Sequence, residues 1–190
     1  MAFSLALLGA STYEVPVALG SYDLLVTEIL TGSQSSITFG SLGDYATDYQ
    51  HLQIRFTGRS TRGDTDSVLG ITFDSGSYAY HQLHGNGSTV GAGAGTGRSD
   101  IYGYAMLAGG TLSAGVYSAG VIDILDPFLT AKNTTIRSLH GIAHSSYPRI
   151  VLLSGANFNT SAITNITFSD LFGQLATGTR FSLYGIRKAA

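Results

Sequence analysis

The side chains with the most chemical potential are five histidines and twelve acids, spread over 190 residues. His81 and His84 lie three apart, and His140 and His144 four apart. On a strand, positions three apart face opposite sides, and positions four apart share a face but sit about 13 Å apart along it. Neither pair is spaced to share a metal ion. Asp64, Asp66 and Asp74 carry oxygens that suit Ca²⁺, but their spacing matches no EF-hand loop, and a solvated loop accounts for them. Asp123 and Asp126 are three apart, so they sit on opposite faces of a strand, or one sits at its end. They lack the third acid that would support them as the carboxylate pair of a glycosidase. No Ser-His-Asp order, phosphate loop or dinucleotide fingerprint occurs. The expectation is a protein that is not an enzyme, with no catalytic residue, no cofactor and no metal.

Shorter signals have plain explanations. Arg62-Gly63-Asp64 spells an integrin-binding tripeptide, which any exposed glycine turn can carry. The Asn-x-Ser/Thr triplets at Asn86, Asn133, Asn159 and Asn165 accept glycans only in a eukaryotic secretory pathway, and an Asn/Ser/Thr-rich chain contains them by composition.

Charged residues make up 12% of the chain and the net charge is −2. With no basic block there is no electrostatic footprint for nucleic acid. The surface left by Ser, Thr, Asn and Gln is neutral and β-prone, suited to contact with other proteins. The absence of cysteine rules out disulfides and thiolate metal sites and favours assembly in a reducing cytoplasm. Met1-Ala-Phe-Ser-Leu-Ala-Leu-Leu-Gly-Ala10 is apolar but too short to span a bilayer, and no Lys or Arg precedes Arg55. Residues 1–20 read as an N-terminal arm or first strand, and 21–190 as one domain. No membrane partner is expected.

The elements that would position these residues are short strands. Tyr22–Leu30 is apolar on both faces, which predicts a well-covered strand. Ile37 and Phe39 point inward from Ser36–Gly40. In His51–Thr57, Leu52, Ile54 and Phe56 alternate with polar residues, the pattern of a sheet with one wet face. Val68–Phe73 and Tyr78–His84, separated by Asp74-Ser-Gly-Ser77, predict a hairpin. Gly85–Gly97 reads as a long glycine-rich loop or an arm ordered by a neighbour. Ile101–Leu107 fits either a short helix or a strand. Gly115–Leu125 and Lys132–Gly141 predict two strands joined by a corner at Asp126–Asn133. Ile122 and Ile124 share one face of the first. Ile136, His140 and Ile142 share one face of the second, with Thr135, Arg137 and Leu139 opposite. Ile150–Ser154 is an apolar run read as buried. Ser161–Ser169 and Arg180–Arg187 complete the set, the latter with Phe181, Leu183 and Gly185 on one face. This predicts an all-β fold: an antiparallel β-sandwich of eight to ten strands, jelly-roll-like, with two four-stranded sheets face to face.

Several of these segments, in this order, resemble a known family. They are Tyr22-Asp-Leu-Leu25, Ser36-Ile-Thr-Phe39, His51-Leu-Gln-Ile-Arg55 and Tyr80-His-Gln-Leu-His-Gly-Asn-Gly-Ser88, then Val121-Ile-Asp-Ile-Leu-Asp126, Lys132-Asn-Thr-Thr-Ile-Arg-Ser-Leu139 and Arg180-Phe-Ser-Leu-Tyr-Gly-Ile186. From Tyr22 to Ile186 the chain resembles small virion structural proteins of tailed phages, especially phages of aquatic bacteria. The resemblance implies a β-sandwich on the particle, assembled in the host bacterial cytoplasm, with other virion proteins as partners. It also implies a homo-oligomer, with a trimer favoured. One reading is a capsid decoration (cement) protein that bridges and stabilises capsid subunits, with Phe3, Leu5, Leu7, Leu8 and Val90 as contacts. The alternative is a tail-fibre or tail-tip module recognising host surface glycans, with Tyr78, Tyr80, Tyr102, Tyr104 and Tyr147 stacking on sugars. The same tyrosines suit ordinary strand packing, and no Trp is present. A fibre shaft would need heptads, and none occurs.

Overall fold

A computed structural model describes residues 20–188. The proposed arm contacts Phe3, Leu5, Leu7 and Leu8 lie outside the described residues. In chain order the strands are β1 (Tyr22–Ile29), β2 (Ser36–Phe39), β3 (Tyr49–Gly58), β4 (Asp66–Phe73), β5 (Tyr78–Gly85) and β6 (Val90–Arg98). They continue with β7 (Ile101–Ala108), β8 (Ser118–Leu125), β9 (Thr134–Ile142), β10 (Arg149–Asn157), β11 (Ile166–Asp170) and β12 (Arg180–Arg187). A single 3₁₀ turn, Leu42–Tyr45, is the only helical element among the described residues.

The expected antiparallel β-sandwich is present, but its sheets are unequal. One has eight strands in the order β1-β12-β3-β8-β9-β10-β5-β6, and the other has four in the order β2-β11-β4-β7. All pairings between strands are antiparallel. Twelve strands form because two segments without a clear apolar pattern pair as well: Val90–Arg98 and Ile101–Ala108.

The core lies between the sheets. The inner positions of the large sheet contribute Leu52, Ile54, Phe56, Ile122, Ile124, Ile136, Leu153, Phe181 and Leu183, all buried. The small sheet contributes Ile37, Phe39, Leu69, Ile71, Ile101, Ile166 and Phe168. Phe168 stacks on Phe181 across the gap, with ring centres 4.9 Å apart, and Phe181 stacks in turn on Phe56 at 5.7 Å. Alternation along each strand decides these positions, since period 2 puts every second residue inside. β8 and β9 sit side by side in the middle of the large sheet, so the faces read from Ile122/Ile124 and Ile136/His140/Ile142 hold.

Three expectations are corrected. β4 and β5 are not a hairpin: β4 lies in the small sheet and β5 in the large one, so the turn at 74–77 carries the chain between layers. The Asp74 carboxylate stabilises that crossing by accepting from the backbone of Thr164 at 2.6 Å and the Thr164 hydroxyl at 2.7 Å. These bonds hold its ionisation below the usual carboxylate range, although burial opposes them. β1, read as well covered, is the outer edge of the large sheet, with Tyr22, Leu24 and Ile29 exposed.

The third correction is the largest. Gly85–Gly97 is not a loop but the turn and most of the second strand of a β5–β6 hairpin. At the turn, the Asn86 side-chain oxygen accepts from the N–H groups of Ser88 at 3.1 Å and Thr89 at 2.8 Å, an Asx-type closure. The glycines of β6 are then a packing requirement. Gly91, Gly93 and Gly95 lie opposite His84, Gln82 and Tyr80 on the inner face. A Cβ on them would come within 2.5 Å of His84, 3.0 Å of Gln82 and 2.6 Å of Tyr80. Large side chains of β5 lie over β6 and leave room only for hydrogen.

Candidate interaction surface

Several of the candidate histidines and carboxylates are held by neighbouring groups. His140 is buried; its Nε2–H donates to the Tyr104 carbonyl at 2.9 Å, and its Nδ1 accepts from the Ser138 hydroxyl at 3.1 Å. Burial lowers its pKa to about 4, so it stays neutral. Asp126 sits where β8 ends, held by Lys132, by Gln50 at 3.3 Å, and by a bond from its own N–H to His51 Nδ1 at 3.0 Å. Burial opposes its ionisation, but these partners keep it below the usual range. Asp123 accepts from Gln53 at 2.8 Å and Arg137 at 2.9 Å. Asp123 thus lies on the outer face of β8, while Asp126 lies one residue past the strand's end with a φ of 50°. Asp64 and Asp66 pair with Arg62, at 3.0 and 3.9 Å, which gives the polar loop a structural use. Among the described residues no three His, Cys, Asp or Glu side chains converge as a metal set, and no helix is long and apolar enough to cross a membrane.

The candidate sugar-stacking tyrosines divide. Tyr78 is 2% exposed, and its hydroxyl accepts from the Phe73 N–H at 2.9 Å; it is core and offers no face to a ligand. Tyr80, 9% exposed, stacks on Tyr102 at 5.7 Å, with Arg98 over both rings. Tyr104 meets His84 at 5.0 Å, and Arg149 lies over Tyr104 and Tyr147. The Tyr147 hydroxyl donates to Asp66, and burial together with that carboxylate pushes its ionisation well above the usual range. Tyr80, Tyr102 and Tyr104 thus lie along the seam between β5 and β7, and Tyr147, on the β9–β10 connection, is linked to them through Arg149. Their rings are engaged by one another and by guanidinium groups.

The distinctive surface is the outer face of the large sheet, turned away from the small one. Strand registers place its side chains in rows. One row reads Ser182, Arg55, Val121, Leu139, Leu152, Leu83 and Ala92 across β12, β3, β8, β9, β10, β5 and β6. The row beside it reads Tyr184, Gln53, Asp123, Arg137, Ser154, His81 and Ala94. The row on its other flank ends in Gly141, Ile150, Gly85 and Val90. Leu83, Leu139, Ile150 and Leu152 are 62%, 49%, 59% and 54% exposed, and Val90 is 93% exposed. The apolar run Ile150–Ser154 is therefore buried only at Val151 and Leu153, because β10 presents its other side chains outward. These residues line a shallow, almost wholly apolar groove between Leu83, Ala92, Leu139, Ile150 and Leu152, of about 700 Å³. It continues past Leu152 into a neighbouring hollow of about 840 Å³ bordered by His81, Ala94, Arg137 and Ser154.

Val90, the sequence-chosen contact that lies among the described residues, belongs to this surface. Leu83, Leu139, Ile150 and Leu152 were missed as contacts, because an apolar residue on an apolar run reads as core. Their signal was available in part: Leu139 falls opposite the buried Ile136/His140 face. No family model matches the chain, and no curated protein or solved structure was found similar to it.

Proposed function

We propose that this protein is a non-enzymatic virion structural component, a capsid decoration protein that fastens to its shell through the outer face of the large sheet. One observation carries the reading: five large apolar side chains, Leu83, Val90, Leu139, Ile150 and Leu152, stand exposed in one contiguous patch. A monomer gains nothing from such a patch, and patches of this kind mark protein contacts. A specific interface buries roughly 800 Å² per partner, with an apolar centre and a polar rim. Here the centre is the leucine row, and the rim is Arg137, Ser154 and His81. The phage setting comes from the sequence resemblance. The glycan alternative is weaker, because Tyr78 is core and the other four rings are engaged at the β5–β7 seam or through Arg149.

The test is add-back to native particles stripped of this chain. Wild type is expected to rebind over the shell in high copy, and Leu83→Asp/Leu152→Asp to lose binding at least tenfold while keeping its thermal midpoint. Density confined to the tail, or full rebinding by the double variant, would overturn the reading. Deleting Ala2–Ala10 tests the arm contacts independently of the face.

A further inference from the structure

The large sheet has two edges, and they differ. β1 carries Asp23 and Glu28, and its register shifts between Leu24 and Val26. Charges and bulges are the devices by which proteins blunt an edge against further pairing. In the small sheet β2 is only four residues long, and β7 packs against β8, β9 and β10. β6 has none of this protection over Val90–Gly97. It is uncharged, free of proline, and regular in register from Val90 to Gly95, and its outward side chains Val90, Ala92, Ala94 and Thr96 are all exposed. One side of its backbone pairs with β5. On the other side no described residue pairs with it, which leaves a row of N–H and C=O groups open among the described residues.

We infer that β6 is a self-association edge, pairing antiparallel with β6 of a second copy to join two large sheets into one. The partner must supply a strand, since only another ladder satisfies a row of backbone donors and acceptors. A second copy fits in three respects. A two-fold axis normal to the sheet keeps the inner faces together and sets odd residues opposite odd ones. With that axis at Ala92, Gly91 meets Gly93, Ala92 meets Ala92 and Val90 meets Ala94. No charge meets a like charge, because the edge has none before Arg98. The outer row Leu139, Leu152, Leu83 and Ala92 becomes continuous with its counterpart, doubling the length of the apolar face. The pairing favours even-numbered assemblies over the trimer expected from the resemblance. It stands on the unguarded edge and does not require the shell reading. The edge alone buries less than the roughly 800 Å² per partner of a standard interface, so dimerisation should depend on concentration.

The chain has no cysteine, which makes the test direct. Single variants Ala92→Cys, Ala94→Cys and, as a control on the same face of β3, Thr57→Cys are oxidised in the full-length protein across a concentration series. Light scattering is run on the wild type alongside. The expected result is a concentration-dependent dimer, with disulfide-linked dimer from Ala92→Cys or Ala94→Cys at least tenfold above Thr57→Cys. A monomer at 100-fold dilution steps up to the solubility limit would overturn the inference. So would an oligomer in which neither β6 position cross-links above the control, or a monomer with β6 amides protected from hydrogen exchange, which places residues 1–19 on the edge. Leu83→Asp/Leu152→Asp should still cross-link through β6, which separates this result from failure on the shell.

Discussion

Across β12 and β3 the outer face of the large sheet is covered by its own long side chains, while across β9, β10 and β5 Leu139, Leu152, Leu83 and Ile150 stand bare beside a polar row. In the first half Arg55 donates to Gln53 at 3.0 Å and lies over the Tyr184 ring, Gln53 donates to Asp123, and Arg180 donates to Ser182 at 3.2 Å. Thr27 joins Ser182 at 3.0 Å from the edge strand. Gln53 and Ser182 end up buried although, among the described residues, no second layer lies above them. The network reaches β9 through Arg137, which donates to Asp123 at 2.9 Å, but among the described residues it does not extend over Leu139, Leu152 and Leu83. Polar side chains can form their own roof, because each finds a hydrogen-bond partner within the face. Leucines cannot, since their stabilisation comes from removal from water, which requires another layer. Among the described residues, the outer face therefore has one half finished by its own side chains and one half that is not.

The contrast can be broken at several points. The largest expected effect is on the inner face: Phe168→Ala removes a ring stacked on Phe181 and should cost about 3–5 kcal/mol by urea unfolding. On the outer face, Leu152→Ala should change stability by no more than about 0.5 kcal/mol. Comparable losses at both positions would mean the outer row is covered in the free protein.

Acid should act through the inner face as well. His140 has its pKa lowered to about 4 by burial, against about 6.5 in the unfolded chain. Between those values the unfolded chain takes up a proton that the folded chain refuses. Stability is therefore lost as pH falls from 6.5 towards 4, by roughly 3 kcal/mol in total. The check is the pH dependence of the urea midpoint. His140→Asn should flatten this part of it; an unchanged slope would show that His140 is not the group responsible.

Gly120→Ala comes next. Its Cβ would sit 2.5 Å from His140 Cβ and 2.7 Å from Phe56, so a cost of about 1–3 kcal/mol is expected in thermal or urea melts. The smallest effect belongs to the polar half: Arg137, an exposed partner of Asp123, should lose under about 1 kcal/mol on change to Ala. A larger loss would show that the network on that face does more than satisfy itself.

Much of the fold was legible in the residues. Alternation at Leu52/Ile54/Phe56, at Ile136/His140/Ile142 and at Phe181/Leu183 places eight side chains in the core that period 2 alone assigns to one face. Strand pairing was less legible. Asp74–Gly76 has turn chemistry, but that chemistry does not say whether the next strand returns to the same sheet, and here it crosses to the other. β6 was hidden because glycine alternation carries no hydrophobic signal; its pattern becomes meaningful only once Tyr80, Gln82 and His84 are seen lying over it.

The sequence by itself determined an all-β chain, its turns, and which residues share a face, because side-chain direction along a strand is local geometry. The tertiary structure alone decided which faces are covered. Leu152 and Leu153 are neighbours of equal hydrophobicity, yet one is 54% exposed and the other 1%. What separates them is the small sheet on one side and, among the described residues, nothing on the other.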